Sequence, residues 1–415
     1  MSIEADKANS LALHGGKPVR AKAPEREDRW GLAEEERLRE MVGQSSLFYW
    51  KNRQTEAMLE AFRKPYPFKH VMPCGSCSAA LHIGVAAAGI GPGDEVITSS
   101  VTDMGTVIGV LFQQAVPVFA DIDPDTFNLD PRDVEKKITS RTRAIIVVHF
   151  SGNPCEMDAF LEIGRKHDLL IIEDCAQAWG ATYRGRPVGT MGDLGCYSFD
   201  DFKLLSCGDG GLVASNRDDI GARLQPFGDK GYDRSGGPRN PTILAANYRM
   251  SEPQAAVAAG QLERLEEMAA GRAWMGDHLD ARLEGIPGVQ TPERDKRDRH
   301  TFWFYTIKLD LDQLSCDRDT FVKALNAEGV LANDGSFPST TYQWQVFQEH
   351  AFFNGRWPLK EAGGTEMDYS RVSCPAAEAV IRRWFRLILF EGMDASYLDD
   401  AAVAIRKVAA HFRLS

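Results

Sequence analysis

Residues 144–181 read AIIVVHFSGNPCEMDAFLEIGRKHDLLIIEDCAQAWGA. Two continuous apolar runs, AIIVVHF (144–150) and LLIIEDCA (169–176), flank the helical stretch EMDAFLEIGRKHD (156–168). Strands that are apolar at every position need cover on both faces, which a parallel sheet sandwiched by helices provides. The same rhythm extends outward in both directions. HVMPCG (70–75), EVITSS (95–100) and VPVFADI (116–122) are strand-sized, and GCYSF (195–199) and GGLVASN (210–216) add two more. AALHIGVAAAGI (79–90) reads as a helix stopped by GPGD. The expected fold class is α/β, with a mostly parallel sheet of about seven strands.

After about residue 250 the pattern changes. SEPQAAVAAGQLERLEEMAAGRAWMGDHLDARLEG (251–285) reads as a long helical region opened by a Ser251/Gln254 capping box. TFWFYTIKLD (301–310) alternates as a strand, and RDTFVKALNAEGV (318–330) and DDAAVAIRKVAAHF (399–412) are amphipathic helices. The expected division is an N-terminal arm (1–50), a large domain (51–265) and a smaller C-terminal α+β domain (266–415).

The 415-residue chain is 43% hydrophobic and 26% charged, ordinary for a globular protein able to build its own core. Its net charge of −11 argues against nucleic acid or an anionic membrane as main partner, because both need clustered Lys and Arg. No apolar run reaches membrane-spanning length. The opening MSIEADKANS lacks a basic region followed by an apolar one, so a cytoplasmic location is expected. The eight cysteines show no framework spacing and are expected to be reduced.

Three motifs carry chemistry. CGSC (74–77) resembles a redox or zinc half-site, but no second Cys/His pair lies at suitable spacing. Its position matters more, because Gly75-Ser76-Cys77-Ser78 joins a strand to a helix, where free N–H groups attract phosphate. Asp174 ends an apolar strand and so points into the ligand crevice at the carboxyl edge of the sheet, unless it merely caps the next helix; Gln177 follows it. The third motif is GCYSFDDFKLLSCGDGG (195–211), with Lys203 between Phe202 and Leu204. A structural lysine there would reach for solvent or pair with Asp200 or Asp201. An acid at a strand end, a phosphate-type turn, Ser198 before the lysine and glycines after it instead form one plan, a pyridoxal 5'-phosphate (PLP) site.

These segments resemble the DegT–StrS family of PLP-dependent aminotransferases that act on keto-sugars and keto-cyclitols. ALHGGKPVR (12–20), AALHIGVAAAGIGPGDEVI (79–97), IIEDCAQAWGA (171–181), the SF…K…GDGG pattern (198–211) and NYRMSEPQAAVAAGQLERL (247–265) carry the likeness. The opening is similar to the branch containing scyllo-inosose aminotransferases and aminohydroxybenzoate synthase. The resemblance implies PLP fold type I, the aspartate aminotransferase-like fold. It implies that Lys203 is the Schiff-base lysine and proton shuttle, and that Asp174 pairs with the ring nitrogen. Gln177 would lie beside the cofactor, and Ser198, Ser76, Cys77 and Ser78 would hold its phosphate. Asn247 would reach the phosphate of the neighbouring subunit, making a homodimer with shared sites. The implied donor is glutamine or glutamate, with pyridoxamine phosphate formed between the two half-reactions.

The chain departs from the family pattern in three places. Cys77 stands where glycine is usual. Asp103, in SSVTDMGTV (99–107), replaces the aromatic residue that stacks on the cofactor; another group must cover that face, or Asp103 touches the substrate. Trp179 stands where the inosose branch tends to have histidine. Tyr342, Trp344 and His300 are candidates for the acceptor pocket, and equally for packing. The rival readings are a PLP-dependent sugar dehydratase, whose members carry histidine in place of Lys203, and a non-enzymatic PLP-binding scaffold.

Overall fold

The computed structural model describes residues 10–26, 28–236, 240–335 and 337–414. Seven strands form the main sheet: β1 (His70–Cys74), β2 (Glu95–Ser99), β3 (Val116–Ala120), β4 (Thr142–Val148), β5 (Leu170–Asp174), β6 (Leu194–Ser198) and β7 (Gly211–Ser215). Their spatial order is β1-β7-β6-β5-β4-β2-β3. β2 to β6 run parallel, and β7 lies antiparallel between β1 and β6. Successive residues of β4 enter different cores. Ile146 and Val148 pack with Ala80, Ile83 and Val85 on one face, whereas Ile145 and Val147 pack with Met157, Phe160 and Ile163 on the other. This is why the strand is apolar throughout.

We number the longer helices in chain order: α1 (Leu32–Val42), α2 (Arg53–Arg63), α3 (Cys77–Ala87), α4 (Met104–Phe112), α5 (Met157–His167), α6 (Asp218–Gly228), α7 (Glu252–Glu263), α8 (Leu265–Leu283), α9 (Arg318–Ala327) and α10 (Ala395–Phe412). The long helical region expected from 251 is two helices, α7 and α8, broken at Arg264. The capping box of Ser251 and Gln254 opens α7 as expected.

A second, antiparallel sheet has four strands, β8 (Val289–Gln290), β9 (Phe304–Leu309), β10 (Ala332–Asn333) and β11 (Trp384–Ile388), in the order β8-β9-β11-β10. Its core joins Leu279 and Leu283 of α8, Phe321 and Leu325 of α9, and Leu398 and Ile405 of α10. The N-terminal segment reaches both halves. Leu11 is buried in this C-terminal core, the Ala12 N–H donates to Glu328 and Arg20 pairs with Asp400. Farther on, Glu34 of α1 binds Gln261 and Arg264 of the main domain.

Candidate active site

The carboxyl ends of β4 and β5 align at Val148 and Asp174, with Cys196 of β6 beside Asp174. Above this edge opens a cavity of about 860 Å³. Ser76, Cys77, Ser78, Asp103, Asp174, Gln177, Ser198 and Lys203 all line it.

At one end is the start of α3. Ser76 caps the helix by accepting from the Ala79 N–H (3.1 Å), which leaves the first-turn N–H groups of Cys77 and Ser78 as donors. β7 packs directly behind this turn. A Cβ on Gly211 would lie 2.4 Å from the Ser76 carbonyl oxygen and 2.7 Å from the Cys77 nitrogen, so only glycine permits the approach. That explains Gly211, the last of the glycines after the lysine. Cys74 and Cys77 are buried free thiols, and burial pushes the Cys74 thiol up to about 12. They therefore pack as apolar groups, not as a redox pair.

Asp174 stands farther along the edge. Its carboxylate accepts from the Ala176 N–H (3.0 Å) and from Thr106 Oγ1 (2.9 Å). Burial raises it above the usual carboxylate range, against those two bonds and the pull of Lys203. Gln177 is pinned by the Ser151 N–H, which donates to its Oε1 (2.7 Å). Ser198 Oγ accepts from the Asp200 N–H (3.2 Å), and its carbonyl accepts from Trp179 Nε1 (2.5 Å).

Lys203 lies on a loop between β6 and β7 that is closed at its base by the bonds Phe199 N–H to Gly210 O and Cys207 N–H to Phe199 O. Its Nζ sits 3.6 Å from the ring centroid of Trp303. Trp303 is fixed in turn, donating Nε1 to the Phe202 carbonyl (2.6 Å). Burial lowers Lys203 below the ordinary lysine value, with Asp200 and Asp174 pulling the other way.

The remaining candidates fall differently. Asp103 is exposed toward the cavity and caps α4, its Oδ1 accepting from the Gly105 N–H (2.8 Å). Asn247 is exposed, forms a backbone bridge with Asp229 and is not among the residues lining the cavity of its own chain. Trp179 is fully buried among Tyr66, Tyr197 and Phe199 and reaches the site only through the Ser198 carbonyl. His300 packs face to face on Phe302, and burial takes it down to about 3, so it is a packing residue. Tyr342 is also buried, donating to Glu378, whereas Trp344 lines the cavity. Sequence reading missed Arg26, Thr106, Arg272, Trp303 and Arg386, all of which line the cavity. Thr106 alone carried a local signal, a hydroxyl on the first turn of a helix that follows a strand end.

The profile of the DegT/DnrJ/EryC1/StrS aminotransferase family matches residues 33–400. The chain belongs to the DegT/DnrJ/EryC1/StrS aminotransferase family. This aminotransferase is 34% identical over 413 residues to a Micromonospora echinospora protein named as an L-glutamine:3-amino-2,3-dideoxy-scyllo-inosose aminotransferase, covering 95% of this chain and 97% of that one. It is 41% identical over 272 residues to GDP-perosamine synthase of Caulobacter vibrioides, covering 65% of this chain and 73% of the relative. Among solved structures, 3-amino-5-hydroxybenzoic acid synthase superposes with a TM-score of 0.82 at 24% identity, covering 94% of this chain and 100% of that one. DesI, solved in the presence of its TDP-sugar product, gives 0.80 at 26% identity, covering 97% of each chain. The aminotransferase is PLP-dependent, as its family is, and the expected α/β fold is the one found. Among the described residues no helix is long and apolar enough to cross a membrane.

The residues of the cavity fit PLP. A helix start backed by Gly211 offers N–H donors for a phosphate. A buried acid suits a protonated ring nitrogen, and a desolvated amine suits an aldehyde.

Proposed function

We propose that this aminotransferase moves an amino group from glutamine or glutamate to a ketone on a sugar or cyclitol ring. In this reading Lys203 carries PLP covalently, and pyridoxamine phosphate holds the amino group between half-reactions. The observation that carries it is the meeting of the Lys203 amine, the buried Asp174 and the α3 start in one cavity. When bound, the cofactor supplies an aldehyde that condenses with amines and a ring that withdraws electrons. Asp174 holds a proton on the ring nitrogen. The Lys203 Nζ, its pKa lowered by burial, accepts and returns the proton that moves in each half-reaction. Ser198, Ser76, Cys77 and Ser78 orient the phosphate, and Gln177 lies beside the ring.

The cavity chemistry supports this substrate class. Arg26 and Arg386 suit the carboxylate of an amino-acid donor, and Asp103, Asp200 and Asp209 suit the hydroxyls of a ring acceptor. The names of the relatives point the same way. We further propose the homodimer in which Asn247 serves the partner's phosphate, the division into arm, large and small domains at 50 and 265, and a cytoplasmic location. The deciding experiment loads the chain with PLP and adds L-glutamine or L-glutamate. Bleaching of the long-wavelength band, followed by amination of a keto-cyclitol or keto-sugar, is expected. A band that stays inert to every amino donor refutes transamination and favours the scaffold reading.

A further inference from the structure

Lys203 is placed in part by a group that does not line the cavity. The loop carrying it turns the carbonyls of Asp201, Lys203 and Leu204 toward one side, and the guanidinium of Arg29 meets all three. Nη1 donates to Asp201 O (2.6 Å), while Nη2 donates to Lys203 O (2.8 Å) and Leu204 O (2.6 Å). Arg29 comes from the segment ahead of α1 and is only 8% exposed. Its own carbonyl accepts from Gln261 Nε2 (3.3 Å) and Arg264 Nη2 (2.8 Å), at the very break between α7 and α8. Burying a guanidinium is costly unless its donors are met. Here the loop meets both terminal nitrogens, leaving Nε buried without a partner, and a planar fork can reach neighbouring acceptors that a single ammonium cannot.

The opposite wall repeats the device. Arg272 of α8 is buried and donates Nη1 to the carbonyls of Leu389 (2.6 Å), Phe302 (3.2 Å) and Trp303 (3.4 Å), with Glu391 as its carboxylate partner (3.3 Å). Glu391 also lies within the field of Arg29. The two walls meet where the Lys203 amine rests on the Trp303 ring and Trp303 Nε1 binds the Phe202 carbonyl. Both sides of that contact are thus pinned through their backbones by buried guanidinium groups.

We propose that Arg29 is a positioning residue for Lys203, holding the lysine loop so that Nζ stays on the Trp303 ring at the cavity wall. The proposal rests on the reading of Lys203 as the cofactor lysine. The test uses the full chain as Arg29→Ala and Arg29→Lys, each with and without PLP. Without PLP, amide exchange in residues 199–207 speeds up about tenfold in Arg29→Ala while that of β4 and β5 is unchanged. With PLP, the pH midpoint of the long-wavelength absorbance moves by about half a unit or more. With an amino donor, kcat falls roughly 10- to 100-fold while KM stays within about threefold, the signature of a misplaced reacting group. Arg29→Lys recovers only a minor part of the loss. An unchanged midpoint with kcat within about twofold of wild type overturns the proposal. So does full rescue by lysine. Should Arg29→Ala not fold, Arg29→Lys carries the test through the same midpoint and exchange readouts. If wild type itself forms no band with PLP, the cofactor reading fails, and the exchange arm still tests whether Arg29 orders the loop.

Discussion

Lys203 and Asp174 are shifted in opposite directions by the same cause, loss of water, and each shift favours the uncharged form. The sign for lysine is simple. Below its pKa the amine is charged and cannot attack an aldehyde; a lowered pKa therefore brings the onset of attachment to lower pH. The rate of PLP attachment, followed by absorbance, should climb with pH and level off below 10.5, the ordinary lysine value. A profile still rising through that value would contradict it. Lys203→Ala should abolish the band and turnover while leaving the fold intact by circular dichroism. Asp174→Asn should still take up PLP on Lys203, yet lose roughly 10²-fold in kcat, on the scale of one lost electrostatic contact; unchanged steady-state kinetics would refute its role. These residues were legible in the sequence because each sits at a fixed offset from a strand end. Trp303 was not, because nothing in TFWFYTIKLD distinguishes an indole facing a lysine 100 residues away from one facing the core.

At the level of elements, the contact of β7 with the α3 start decides how well a phosphate is held. Gly211→Ala must push the Ser76–Cys77 backbone aside, since the obstructing atoms are main chain. It should cost about 1–3 kcal/mol of stability by overpacking. PLP titration should also show affinity falling about tenfold or more, the equivalent of about 1.4 kcal/mol. Wild-type affinity in a folded variant would separate the turn from phosphate binding. Asp103 caps α4 and lines the cavity, and substitution separates that cap from the proposed substrate contact. Asp103→Asn keeps a good helix cap, whereas Asp103→Ala loses it, at about 1 kcal/mol. If the carboxylate touches substrate, the Asn variant melts like wild type but shows an altered KM for the acceptor. If Asp103 only caps, Asn is silent in both assays. The strand–helix alternation was readable from residues 70 to 216 because burial on both faces leaves an unbroken apolar run. The break at Arg264 was not, because apolar periodicity runs through it. Arg264 ends the helix through bonds to Glu34 and to the Arg29 carbonyl, contacts more than 200 residues distant.

For the whole molecule the shared site is the main expectation. Asn247 lies outside its own chain's cavity, so mixing Lys203→Ala chains with Asn247→Ala chains should restore part of the activity. In the hybrid dimer one site carries both lesions and the other carries neither. No recovery, with subunit exchange demonstrated and both parents impaired, would sink the shared arrangement. The two-sheet plan was legible in the change of pattern near 250, but the path of residues 10–26 was not, since a short polar segment gives no sign of what it will lie against. That path has a consequence for how the protein is made. Leu11 is sealed by side chains from α8, α9 and α10, and Arg20 pairs with Asp400, 380 residues later. At ribosomal speeds of about 5–20 residues per second, that partner emerges roughly 20–80 s after the arm does. Until then the segment around Leu11 and Arg20 has only α8, α9 and Glu328 to dock against. Helix α10 is thus the element that completes the docking of the segment around Leu11 and Arg20.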